Sequence, residues 1–146
     1  MAASLHLQDY YVEKIVPEYH LFYTSFHYPL DHSQFKEAML HIVDLINKHK
    51  LEYWLLDASS ISFTLQDQRW AVESLGLLLR GTPLKCVAMV RREDLFLEMA
   101  AENMREKIYS LYGHQILLEH FLNTEDALNW LYPGVPLKKV LPAVRH

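Results

Sequence analysis

The feature that most constrains this chain of 146 residues is a regular alternation of short apolar runs with amphipathic stretches of helical period. Tyr10 to Val16 and Tyr19 to Tyr28 are rich in aromatic and β-branched residues and flank Pro17-Glu18, which reads as a β-hairpin. In the second run Leu21, Tyr23 and Ser25 fall on one face and Phe22, Thr24 and Phe26 on the other, because strand side chains alternate. Pro29-Leu30-Asp31 stops the strand, and Asp31 with Gln34 sets up a capping box. Phe35, Ala38, Met39, Ile42, Val43 and Ile46 then recur at helical spacing, which predicts a helix ending near His49.

The pattern repeats. Tyr53 to Leu56 is a buried-strand run closing at Asp57. Thr64 with Asp67 caps a second helix through Leu79, with Gly81 at its C′ position and Pro83 barring continuation. Cys86 to Val90 is the next strand. Asp94 caps a third helix carrying Leu95, Phe96, Met99, Met104, Ile108 and Leu111, which Gly113 ends. Met99 and Met104 read as core filler. Gln115 to Phe121 is a further strand, and Thr124 caps a helix with Ala127, Leu128 and Leu131. Pro133, Pro136 and Pro142 predict an extended tail. The order ββαβαβαβα implies an α/β fold: a single domain with a mixed, mostly parallel β-sheet, an opening hairpin and covering helices. The domain is expected over 1–132, with a Pro-containing C-terminal tail over 133–146.

Composition removes several classes of function. Hydrophobic residues at 51% and charged residues at 22% are those of a globular domain that builds its own core. With 14 Lys+Arg against 18 Asp+Glu, no basic excess points to nucleic acid. Cys86, the one cysteine, excludes an internal disulfide and a thiolate zinc site. The start lacks signal-peptide character, and no apolar run reaches the ~18 residues that span a bilayer. The expectation is a cytoplasmic protein without a transmembrane segment and without nucleic acid as a partner.

Catalytic patterns are equally sparse. There is no Gly-x-Ser-x-Gly elbow and no grouped glycines for a phosphate loop. The nine histidines are scattered, His6 and His146 at the extremes, and no pair has metal-ligand spacing. No catalytic residue, cofactor or metal site is expected. Tyr10, Tyr11, Tyr19, Phe22, Tyr23, Phe26 and Tyr28 crowd the hairpin, where they pack the sheet or form a partner or homodimer surface.

The loop after the third strand reads Asp57-Ala58-Ser59-Ser60-Ile61-Ser62-Phe63-Thr64-Leu65-Gln66-Asp67-Gln68. Asp57, Ser59, Ile61 and Phe63 match without gaps the characteristic loop of STAS domains, the anti-sigma-factor-antagonist (SpoIIAA-like) family. This loop and the element order together resemble that family over roughly residues 10–132. The resemblance implies a regulatory, bacterial-signalling module that docks a protein partner, in the family a regulatory kinase or another signalling protein. It implies docking through this loop and the following helix. Asp57, Ser59, Ser60, Gln66, Asp67, Gln68 and Arg69 are therefore the candidate partner-binding residues, with Trp70 beside them.

The departure from the family is chemical. Where the family has Asp-Ser-Ser-Gly, this chain has Leu65-Gln66-Asp67-Gln68, so the family's phosphorylated serine falls on Asp67. Aspartate carries one charge and no phosphoryl group. Either it holds the loop permanently acidic or the switch is lost. On residue chemistry alone, Asp67 also reads as a first-turn acid favoured by the helix dipole. Arg91 and Arg92, after the next strand, are candidate anion-binding residues, since ligands of open α/β sheets sit at the carboxyl ends of strands.

Two rival readings stay open. One is a STAS-like small-molecule or lipid-binding protein with a pocket between helices and sheet. The other is a receiver-like or other small α/β enzyme, with Asp57 at its strand end. A receiver needs further acids after the first strand to hold Mg²⁺, and there Glu13 stands alone among Tyr11, Val12 and Lys14.

Overall fold

The structure, a computed structural model, describes residues 7–27 and 29–144. Tyr28, the expected end of the second strand, and His6 and His146 lie outside the described residues. Five strands form one sheet in the order β1-β2-β3-β4-β5. β1 (Tyr11–Val16) and β2 (Leu21–Phe26) are antiparallel partners joined by a 3-10 turn, Pro17–Tyr19. β3 (Tyr53–Asp57), β4 (Cys86–Val90) and β5 (Leu117–Phe121) each add in parallel. The mixed, mostly parallel sheet is the one the pattern predicts. Tyr10 ends a single helical turn, α1 (Leu7–Tyr10), instead of starting the strand.

Consecutive parallel strands joined by right-handed crossovers put their connecting helices on one face. That face carries α2 (His32–His49), the segment from Leu65 to Arg80, and α5 (Leu95–Tyr112). Phe22, Trp54, Leu56, Val87 and Met89 from the strands meet Phe35, Met39, Ile42, Ile46, Leu75 and Ala101 from the helices. Each such large apolar side chain contributes about 1.5–3 kcal/mol on full burial. The opposite face carries α6 (Thr124–Leu131) and α7 (Leu137–Val144), packed on Val16, Leu21, Leu55, Ala88 and Val90. Alternation along β3 feeds both cores at once, with Trp54 and Leu56 on one side and Leu55 on the other.

Four local expectations are corrected. The tail is not extended: α7 buries Val140 and Val144. Asn123, not Thr124, caps α6, by accepting from the Asp126 N–H at 2.8 Å. Gly81 ends its helix at φ −87°, outside the left-handed region; the end is held by Thr82, whose N–H and hydroxyl both donate to the Leu79 carbonyl. The segment from Leu65 is not one regular helix. It runs as α3 (Leu65–Trp70), a wider π-turn (Ala71–Leu75) and α4 (Gly76–Arg80). The Tyr112 hydroxyl donates to the Val72 carbonyl at 2.6 Å and lies 3.3 Å from that of Glu73. π-turns of this kind and side chains bonded into the helical ladder are both places where a helix departs from regular α geometry.

One buried polar pair locks the sheet to this packing. The Trp54 indole N–H donates to the Thr24 hydroxyl at 3.0 Å, and both residues are buried. Thr24→Val keeps the shape but orphans the indole N–H. It is expected to cost about 1–3 kcal/mol, read as a lower urea midpoint at unchanged slope. An unaltered midpoint would show that the bond contributes nothing net. Among the described residues, no helix is long and apolar enough to cross a membrane.

Candidate functional site

The sheet's register brings the ends of β3, β4 and β5 to one edge, with Asp57 opposite Val90 and Val90 opposite Phe121. The loop after β3 begins there. The Asp57 carboxylate accepts from the Ser59 N–H at 3.0 Å and the Ser59 hydroxyl at 2.6 Å, an Asx turn that an aspartate at this position forms readily. The Gln68 amide donates to the Phe63 carbonyl at 3.1 Å, closing the loop from its far side. Ser60, Gln66 and Arg69 are exposed, whereas Asp57, Ser59 and Gln68 are half-buried.

Asp67 is 2% exposed. It forms a capping box with Thr64: the Thr64 hydroxyl accepts from the Asp67 N–H at 3.0 Å, and the Asp67 carboxylate accepts from the Thr64 N–H at 3.1 Å. Its other oxygen lies 2.7 Å from His32 Nδ1, at the start of α2. The acid at this position ties two helix starts together, and its side chain is turned into the protein. Trp70 is half-buried, edge-on to Phe35 at 5.9 Å between ring centroids.

Arg91 and Arg92 are occupied by the protein itself. Arg92 donates to the carbonyls of Ser59 and Ile61 at 3.3 and 3.0 Å and to the Ser62 hydroxyl at 2.7 Å, so it clamps the loop. Arg91 donates through Nε to His120 Nδ1 at 3.0 Å. A guanidinium only donates, so Nδ1 accepts and the His120 proton sits on Nε2, directed at Glu102 at 2.6 Å. Glu102, Glu119 and His120 form the one metal-capable group gathered among the described residues. Sequence spacing could not foresee it, because α5 and β5 come together only in the fold. Arg105 binds both carboxylates, at 2.9 Å to Glu102 and 2.6 Å to Glu119. A guanidinium already fills the place of a cation there.

The hydrogen bond from His120, reinforced by Arg105, holds the Glu102 carboxyl below its usual range. A carboxyl with a lowered folded pKa stabilises the fold above its unfolded value of about 4.3 and loses that contribution as pH falls through the folded one. Glu102→Gln is therefore expected to flatten the acid limb of the stability profile below about pH 4.3, measured by urea unfolding from pH 7 to 3. An acid limb as steep as wild type would contradict this linkage.

Sequence reasoning missed the most exposed apolar surface. Leu65, Leu95, Phe96 and Met99 are 81, 68, 80 and 60% exposed, so Met99 is not core filler. They line an open groove of about 860 Å³ between the starts of α3 and α5, bordered by Ser62, Phe63 and Gln68 of the loop. Its charged lining residues are all acidic: Asp94, Glu98, Glu102 and Glu106. Asp94 is spent as the α5 cap, accepting from the Phe96 and Leu97 N–H groups, and Glu102 is paired as above. Glu98 and Glu106 remain exposed. The hairpin aromatics, by contrast, turn mostly inward: Tyr10, Tyr11, Phe22 and Phe26 are buried and Tyr19 and Tyr23 half-buried.

No protein-family profile and no curated protein matches the chain. Among solved structures the chain is similar to an uncharacterized protein from the DUF3478 family, from Shewanella loihica PV-4, described as having a SpoIIAA-like fold. The match has a TM-score of 0.57 and 20% sequence identity, and covers 90% of this chain and 99% of that one. It shows the fold alone: this chain has a SpoIIAA-like α/β fold.

Proposed function

We propose that this chain is a non-enzymatic interaction module that docks a protein partner through the groove between α3 and α5, beside the loop from Asp57 to Asp67. The observation that carries the reading is the cluster of Leu65, Leu95, Phe96 and Met99, exposed together on one rim. Large apolar groups left in water and framed by polar ones mark interaction sites. Aromatic and methionine side chains are enriched at the centres of such interfaces. The loop supplies the fixed rim, because Arg92, Asp57 and Gln68 hold its backbone.

The acidic lining selects the partner's chemistry. An apolar segment flanked by lysine or arginine meets Glu98 and Glu106 favourably. A homodimer through this groove would bring two acidic rims together, so the occupant argued for is a different, basic protein.

Capture from lysate with wild type, Phe96→Asp and Lys48→Glu tests this. Lys48 is exposed in the last turn of α2. A partner kept by Lys48→Glu and lost by Phe96→Asp is the expected result. A partner held equally by all three would refute the groove. A mass of two chains in light scattering, lost in Phe96→Asp, would instead make the groove a self-association surface.

A further inference from the structure

The sheet has two outer edges, β1 and β5. In β5 the Leu117 N–H donates to the Lys85 carbonyl, and the Phe121 carbonyl accepts from the Arg91 N–H. The odd-numbered residues of β5 thus pair with β4, and Leu118 and His120 turn their backbone groups outward. We propose that this outer edge of β5 is a latent strand-pairing surface for β5 of a second copy, held shut by Tyr109. The inference goes beyond the docking groove and does not rest on it.

Three observations carry it. First, one side chain takes both outward groups of Leu118. The Tyr109 hydroxyl accepts from the Leu118 N–H at 2.8 Å and donates to the Leu118 carbonyl at 2.9 Å. Those are the two groups that a neighbouring strand would engage at that residue. The phenol packs against the His114 ring, 4.2 Å between centroids. From α5, Tyr109 stands in for one residue of a further strand.

Second, β5 lacks the usual defences of an edge. Lysine, proline and bulges commonly guard such strands. Leu117–Phe121 reads LLEHF and pairs with β4 residue for residue. The opposite edge differs, because β1 carries Glu13 and Lys14.

Third, the edge suits a copy of itself. Leu117 and Leu122 are 40 and 49% exposed near its two ends. A two-fold antiparallel pair sets the Leu117 end of one copy beside the Leu122 end of the other and closes after two chains. Glu119 is held by Arg105, and His120 by Arg91 and Glu102. The side chains of β5 therefore bring no uncompensated charge to oppose its like across the pair.

Two variants separate the plug from the pairing. Tyr109→Phe keeps the ring and removes the hydroxyl. Amide exchange at Leu118 in dilute protein is then expected to speed about tenfold. An unchanged rate would show that the hydroxyl closes nothing. Tyr109→Ala removes the ring as well. Its mass in light scattering is expected to rise from one chain to two with concentration, while wild type stays at one. Leu117→Lys, added to Tyr109→Ala, should restore the single chain. Tyr109→Ser serves if the alanine variant fails to fold. A variant that stays a single chain at every concentration, or a pair that Leu117→Lys leaves intact, would overturn the proposal. A wild-type pair that Leu117→Lys dissolves would show the edge already open and overturn its closure by Tyr109. Phe96→Asp leaves the pairing of Tyr109→Ala intact, so failure here and failure of the docking groove are read separately.

Discussion

Asp67→Lys should melt well below the wild-type protein, with a loss of about 3–5 kcal/mol, the range for leaving a buried charge without its partner. In a domain of this size that is roughly a 10–15 °C fall in melting temperature. Three ties disappear together: the reciprocal Thr64 bond, the His32 contact, and the close packing of a side chain only 2% exposed. Asp67→Asn keeps an acceptor for the Thr64 N–H and weakens only the His32 contact, so about 1 kcal/mol is expected. Thermal unfolding followed by circular dichroism ranks the three proteins. A lysine variant melting with wild type would contradict the burial and the capping box. The same result governs how binding data are read, since a partner lost with Asp67→Lys reports unfolding of the loop and not a removed contact.

Phe96→Asp and Leu65→Asp should do the reverse. Both side chains are about four-fifths exposed, and surface substitutions of this kind usually stay within about 0.5 kcal/mol of wild type. Their effect falls on docking. A central apolar residue of an interface is worth about 2 kcal/mol or more, roughly thirtyfold in affinity. Each substitution also adds an acid to a rim whose charges attract a basic partner. The added charge by itself favours a basic partner, so a net loss that salt does not reverse identifies apolar contact as the main contribution.

Much of this was legible in the sequence. The two capping boxes, Asp31 with Gln34 and Thr64 with Asp67, are present as paired residues three apart. The strand runs at Tyr53 and Cys86 are short, apolar and punctuated, and the structure has strands there. What escaped did so for identifiable reasons. Helical periodicity tells which residues share a face, not whether anything covers it, so Leu95, Phe96 and Met99 read like Met104 and Ile108. The π-turn meets the Tyr112 hydroxyl at the Val72 carbonyl, forty residues away, and no local pattern reveals that contact. The tail helix did leave a signal: Leu137, Val140, Leu141 and Val144 stand at helical spacing, but the three prolines outweighed it. Asp67 matched a position occupied by a surface switch in the resembling family. Its burial follows from His32, a contact that sequence distance concealed.

The central claim, that the α3–α5 groove is the docking surface, is tested most directly by site-specific photo-crosslinking. A photoreactive residue is placed at Leu65, at Phe96, and at Leu40, an apolar side chain 48% exposed on α2. One discrete adduct with a basic protein is expected from positions 65 and 96 and none from 40. Equal adducts from all three positions, or an adduct from position 40 alone, would contradict it.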